Sequence, residues 1–219
     1  MTRILLAGAT GMIGTAALRL LLGDDRVTHI VAPTRRPLAP HPKLLNPIAS
    51  SEDLKPDADW WAADGAICAL GTTRAKAGSA AAFRAIDHDY ALAVAARIRA
   101  GGAARFALTS STGADARSYF LYTRTKGELE DAIDRLGFPS LTILRPGFLG
   151  GERGEHRPME AVMGTLLRIA APILPASARI SPGATVAALL VEAAIAGTPG
   201  RHVIGPAQIV RAAEGGRRG

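Results

Sequence analysis

Short apolar runs alternate along this chain with longer stretches in which apolar positions recur at helical spacing. The runs predict strands near Ile4–Ala7, Thr28–Ala32, Leu44–Ile48, Ala66–Leu70, Arg105–Ser110, Leu141–Leu144 and His202–Ile204. The helical stretches fall near Thr15–Leu22, Ala80–Ala100, Tyr119–Leu136, Met159–Ile173 and Ala184–Ala196, with one further turn in Glu52–Trp60. Strands that alternate with helices pair in parallel and bury their faces under those helices. The expected fold class is therefore α/β, a doubly wound, mostly parallel sheet. Repeats and Ser/Gly linkers are lacking, so a single domain over 1–211 is expected, with a substrate-side segment at 147–182 and a disordered tail at 212–219. The Gly147–Arg157 stretch reads as a loop over the C-terminal strand ends, where ligands sit in such sheets.

The first strand, Thr2–Ala7, runs straight into Gly8-Ala9-Thr10-Gly11-Met12-Ile13-Gly14 and then into a helix. Such a turn makes an anion site: backbone N–H groups point outward, the helix dipole favours negative charge, and glycine offers no Cβ to block approach. The glycines at 8, 11 and 14 form a close relative of the dinucleotide fingerprint, so this turn is expected to hold a pyrophosphate.

The composition, 48% hydrophobic and 21% charged over 219 residues, is that of a globular chain with a full core. No window offers the roughly 18 uncharged apolar residues of a membrane span; the nearest, Ala161–Pro175, contains Arg168 and Pro172. The single Cys68 excludes an internal disulfide and fits a reducing, cytoplasmic setting. The net charge of +7 comes mostly from scattered arginines without interleaved aromatics, which predicts a solvated basic surface and no specific nucleic acid partner. The Ala184–Ala196 helix is so apolar that it is either a core helix or the face of a homodimer.

Strand two is followed by Pro33-Thr34-Arg35-Arg36, with no acid at its end. In a doubly wound sheet an acid there binds a ribose 2′-hydroxyl, whereas an arginine pairs with a 2′-phosphate. NADP(H) is accordingly preferred over NAD(H). Strand five ends in serines 110 and 111, and Tyr122 and Lys126 follow four residues apart. On a helix that spacing places phenol and ammonium on one face. A nearby cation favours the phenolate, and a tyrosine so tuned can exchange a proton with a carbonyl oxygen or an alcohol. Ser111 could hold that oxygen, with Ser110 the alternative. Asp87, His88 and Asp89 look like a metal cluster, but consecutive helical residues point apart, so no metal is expected. His156, in the glycine-rich loop, reads as solvated, and Cys68 as a small buried hydrophobe.

These residues together resemble the short-chain dehydrogenase/reductase superfamily. The resemblance sharpens at Cys68–Ser79 (CALGTTRAKAGS), Phe83, Asp87, Tyr90, Phe106–Ala114, Tyr122–Glu130 (YTRTKGELE) and Arg145–Gly150 (RPGFLG). There it is similar to the atypical branch of HIV Tat-interacting protein-like oxidoreductases. The resemblance implies a Rossmann fold with bound NADPH. It places Gly8, Thr10, Gly11, Met12, Ile13 and Gly14 around the pyrophosphate, Arg35 and Arg36 at the 2′-phosphate, and Leu70, Gly71 and Thr72 along the adenine and ribose. Pro146, Gly147, Phe148 and Leu149 would flank the nicotinamide. Tyr122 and Lys126 match the catalytic pair, with Lys126 also on the nicotinamide ribose, and Ser111 or Ser110 matches the serine. The expected function is an NADP(H)-dependent oxidoreductase of a small carbonyl or alcohol. The alternative is a non-catalytic NADPH-binding sensor or protein-interaction module.

Overall fold

The computed structural model describes residues 2–49, 58–150 and 180–215. Their strands are β1 (Thr2–Ala7), β2 (Val27–Val31), β3 (Leu44–Leu45), β4 (Gly65–Cys68), β5 (Arg105–Thr109), β6 (Ser140–Leu144), β7 (Leu149–Gly150), β8 (Ser181–Pro182) and β9 (Gly200–Ile204). The helices are α1 (Met12–Gly23), α2 (Arg74–Ala77), α3 (Ala80–Arg84), α4 (Ala91–Ala100), α5 (Leu121–Asp134), α6 (Gly183–Ala196) and α7 (Pro206–Gly215). Seven strands form one parallel sheet in the order β3-β2-β1-β4-β5-β6-β9, and β7 pairs with β8 in a small separate ribbon. The strand order reverses between β1 and β4. In an all-parallel sheet that switch point opens a crevice at the C-terminal strand ends.

The strand interiors explain why the sheet is covered on both sides. Ile4 and Leu6 pack into an apolar cluster with α1 and α6, while Leu5 and Ala7 join the opposite cluster with α4 and α5. Alternate residues of a strand point to opposite faces, so an unbroken apolar run needs a helix layer on each. Phe106 and Phe138 stack at 4.6 Å in the second layer. The choice left open for Ala184–Ala196 resolves to a core helix: Val186, Ala187, Leu190 and Ala194 are fully buried against α1 and the sheet. Among the described residues no helix is long and apolar enough to cross a membrane.

Several boundaries differ from expectation for local reasons. The third strand is short, and pairing resumes only as a Thr34–Ile48 bridge, in which the Thr34 N–H donates to the Pro47 carbonyl at 3.0 Å. The expected Ala80–Ala100 helix is interrupted by a π-helical turn at Ala85–Tyr90, within which Asp87 is buried. The tail expected from 212 is corrected as far as 215, because α7 extends to Gly215 and buries Ile209 and Val210. Pro206 opens that helix, where its missing N–H costs nothing, and the Gln208 side chain accepts from the Gly205 N–H at 2.8 Å. The expected Met159–Ile173 helix, His156 and most of the Glu52–Trp60 turn lie outside the described residues, although Asp59–Trp61 forms a 3₁₀ turn.

α6 approaches the sheet closely at Gly65, where an added Cβ would fall 2.1 Å from the Ala194 carbonyl oxygen. Gly65→Ala is expected to destabilise the protein by about 1–3 kcal/mol through overpacking. Gly23→Ala, at a site with nothing within 4 Å, serves as the control and is expected to be neutral or stabilising in urea denaturation.

Candidate cofactor and active site

The parallel register delivers the turns after β1, β2, β4, β5 and β6 to one edge of the sheet. After β1, Gly8 has φ 87°, and a Cβ there would lie 2.7 Å from the Ala69 carbonyl carbon and oxygen beyond β4. A Cβ on Gly14 would meet the Gly8 oxygen at 1.9 Å. Both positions require glycine, one for its conformation and both for space. The Gly11 N–H donates to the Gly8 carbonyl at 3.0 Å, and Thr15 is the first residue of α1 to bond back, to Gly11, at 2.8 Å. The amides of Met12, Ile13 and Gly14 therefore have no carbonyl ahead of them in the helix. Gly11 supplies no side-chain cap, the first turn carries no acid, and Thr10 and Gly11 are exposed. The turn expected to hold a pyrophosphate thus leads into a helix N-terminus with no side-chain cap.

Beyond β2, Arg35 and Arg36 are exposed and pair with no carboxylate among the described residues. The half-buried Tyr90 lies within the field of Arg35; burial pushes its phenol pKa up and the guanidinium opposes this. Beyond β4, Leu70 and Thr72 are partly buried and Gly71 is exposed. The Thr72 N–H donates to Asp87 Oδ2 at 2.7 Å. Cys68, fully buried at the end of β4, has its thiol pKa pushed up to about 11 by desolvation, which keeps it a neutral hydrophobe.

α5 brings Tyr122 and Lys126 to the same edge, but in different environments. Tyr122 is 43% exposed, its ring 5.7 Å from that of Phe83. Lys126 is buried, with Nζ 2.6 Å from Asp87 Oδ1. A Cβ on Gly71 would be 3.5 Å from Asp87 Oδ1 and 3.6 Å from Lys126 Nζ, so the β4 loop, the π-helical turn and α5 converge there. The two serines part company. Ser110 is buried and its hydroxyl donates to Glu130, whereas Ser111 is partly exposed and reaches only the Thr112 carbonyl, at 3.3 Å. Glu130 also holds Arg145 through both oxygens, at 2.9 Å to Nε and 2.5 Å to Nη2, and this raises the arginine pKa further. Beyond β6 the Pro146 carbonyl accepts from Thr112 at 2.9 Å, the Gly147 N–H donates to Ser181 Oγ at 3.1 Å, Leu149 enters β7, and Phe148 is exposed.

Asn46 carries no signal in the sequence, and Asp87 enters there only as a rejected metal ligand and as part of the family resemblance. Asp87 had a signal: with Phe83, Ala91 and Val94 it occupies the buried stripe of its helix, a charge at a core position. Removing it with Asp87→Ala would leave a buried ammonium unpaired, for an expected loss of about 3–5 kcal/mol in urea denaturation. Asp87→Asn, which can still accept from Thr72, is expected to lose less.

No protein-family profile matches the chain. It is similar to the mitochondrial protein fmp52 of Emericella nidulans, 40% identical over 176 residues, covering 74% of this chain and 73% of that protein. It is likewise similar to protein HTATIP2 of Rattus norvegicus, 38% identical over 162 residues, covering 72% and 66% of the respective chains. Among solved structures, MoeE5 in complex with UDP-glucuronic acid and NAD superposes with a TM-score of 0.71 at 17% identity, covering 93% of this chain and 76% of that one. The cytoplasmic placement expected from the lone cysteine is corrected by the fungal relatives, which are named as mitochondrial proteins. A single reduced cysteine reports a redox environment and carries no address.

Proposed function

The chain belongs to the family of FMP52 and HTATIP2, atypical short-chain dehydrogenase/reductase proteins on a Rossmann fold, and we propose that it is an NADP(H)-dependent oxidoreductase acting on a small carbonyl or alcohol. The observation that carries this reading is the meeting, on one sheet edge, of the bare α1 N-terminus with the Tyr122–Lys126 end of α5.

The residues present fit a dinucleotide. The free amides of Met12, Ile13 and Gly14 would hold the pyrophosphate, with Gly8, Thr10 and Gly11 in the turn before them. Arg35 and Arg36 would take the 2′-phosphate, a charge-assisted contact that a ribose hydroxyl cannot match. Leu70, Gly71 and Thr72 would line the adenosine side, and Pro146, Gly147, Phe148 and Leu149 the nicotinamide side. When bound, the cofactor supplies hydride exchange at a substrate carbon. Tyr122 donates its hydroxyl proton to the carbonyl oxygen during reduction and accepts one from the alcohol in oxidation; its exposure lets solvent restore the starting state. Ser111, whose hydroxyl is not committed to Glu130, holds that oxygen. Lys126, held against Asp87, carries the ribose contact and the field at Tyr122.

The same ion pair favours a second reading, because a lysine neutralised by a buried carboxylate is a weaker electrostatic tuner. In that reading the protein is an NADPH-binding sensor. Calorimetry with NADPH and NADH in parallel, followed by a panel of carbonyls and alcohols, separates the two. For the oxidoreductase, NADPH binds at least about tenfold tighter than NADH. Tyr122→Phe then lowers turnover by at least about 100-fold while NADPH affinity is kept. Tight NADPH binding without turnover of any substrate supports the sensor. Failure of both dinucleotides to bind overturns both readings.

A further inference from the structure

The arginines beyond β2 sit on a segment that is hydrogen-bonded to a side chain following the next strand. Asn46, just past β3, reaches across the Ala32–Leu38 loop. Its Nδ2 donates to the Ala32 carbonyl at 2.5 Å and to Thr34 Oγ1 at 2.8 Å, and its Oδ1 accepts from the Leu38 N–H at 2.8 Å. Thr34, 7% exposed, then donates its own hydroxyl to the Arg36 carbonyl at 2.6 Å. Both amide hydrogens and the amide oxygen of Asn46 are thereby used, and the orientation is self-consistent: donors face oxygens and the acceptor faces an N–H. The backbone of Thr34 is pinned as well, its N–H to Pro47 and its carbonyl from Ala49, each at 3.0 Å. Residues 32, 34, 36 and 38 are all tied down, while the side chains of Arg35 and Arg36 remain exposed. A loop fixed in advance loses less entropy when its guanidinium groups close on an anion.

We propose that Asn46, acting through the Thr34 hydroxyl, is the positioning residue that sets the preference for a 2′-phosphorylated dinucleotide. It does so by holding Arg35 and Arg36 in the posture that receives the phosphate. This inference rests on the reading of those arginines as the 2′-phosphate site. Asn46 itself touches no cofactor atom; it acts on the loop.

The test is calorimetric titration of the full chain with NADPH and with NADH, which differ only at the 2′-phosphate, for the wild type, Asn46→Ala, Thr34→Val and Thr34→Ser. The wild type is expected to favour NADPH by at least about tenfold. Asn46→Ala and Thr34→Val are expected to cut that ratio about tenfold, with NADH affinity held within about twofold. Thr34→Ser, which keeps the hydroxyl, is expected to retain the ratio. A wild type without preference shows that the arginine reading itself has failed. A wild type with preference whose ratio survives in both Asn46→Ala and Thr34→Val overturns the positioning role alone. Parallel loss of NADH binding in those variants also overturns it, since a collapsed loop would weaken both ligands. If Asn46→Ala does not fold, the near-isosteric Thr34→Val decides.

Discussion

A buried ion pair between Asp87 and Lys126, at 2.6 Å and nearly without solvent, is the interaction on which the arrangement of the site depends. Removing two charges from water costs several kcal/mol for each, and their mutual attraction offsets this only when the geometry is close and the remaining valences are filled. Asp87 fills one with the Thr72 N–H. The pair consequently fixes α5 against the helical segment after β4, and the loop after β4 against both. Asp87 lies within the π-helical turn and on the same buried stripe as Phe83, Ala91 and Val94, so the face that packs by apolar contact also presents the carboxylate inward.

α5 is held one turn further along by a second buried charge. Lys126 and Glu130 are one helical turn apart, the spacing at which a lysine and a glutamate commonly pair with each other. Here they do not. Lys126 turns to Asp87, while Glu130 turns to Arg145 at the end of β6 and to the Ser110 hydroxyl at the end of β5. Gly127 between them admits the backbone of the 115–116 turn, since a Cβ there would come within 2.2 Å of the Ala116 nitrogen. The helix carrying Tyr122 is therefore clamped at three positions, and Tyr122 itself is left exposed at its first turn. A rigid support under an accessible side chain is what the proton exchange proposed for Tyr122 requires.

The other end of the crevice uses a different kind of support. The loop after β2 contains no buried charge; it is ordered by the amide of Asn46 and the hydroxyl of Thr34, neutral groups that bring no countercharge to the two arginines. A carboxylate at position 46 would satisfy the Leu38 N–H equally well but would place a negative charge beside the arginines and blunt their attraction for phosphate. Neutral hydrogen bonding orders this loop at no electrostatic expense.

What the sequence alone determined is the part written in local pattern. Alternation of apolar runs with helical stretches gave the parallel α/β sheet, the glycines at 8 and 14 gave the tight turn into α1, and the four-residue spacing of Tyr122 and Lys126 put them on one helix. Each depends on backbone conformation and on neighbours within a few residues, which a one-dimensional pattern records. The tertiary structure alone decided which serine is committed to Glu130, that Asp87 faces Lys126, that α6 is a core helix, and that Asn46 holds the arginine loop. Those outcomes rest on partners brought together from distant stretches of chain. A charge or an amide carries no mark in the sequence of the group it will meet; its role is fixed only when folding removes the water that would otherwise have served as its partner.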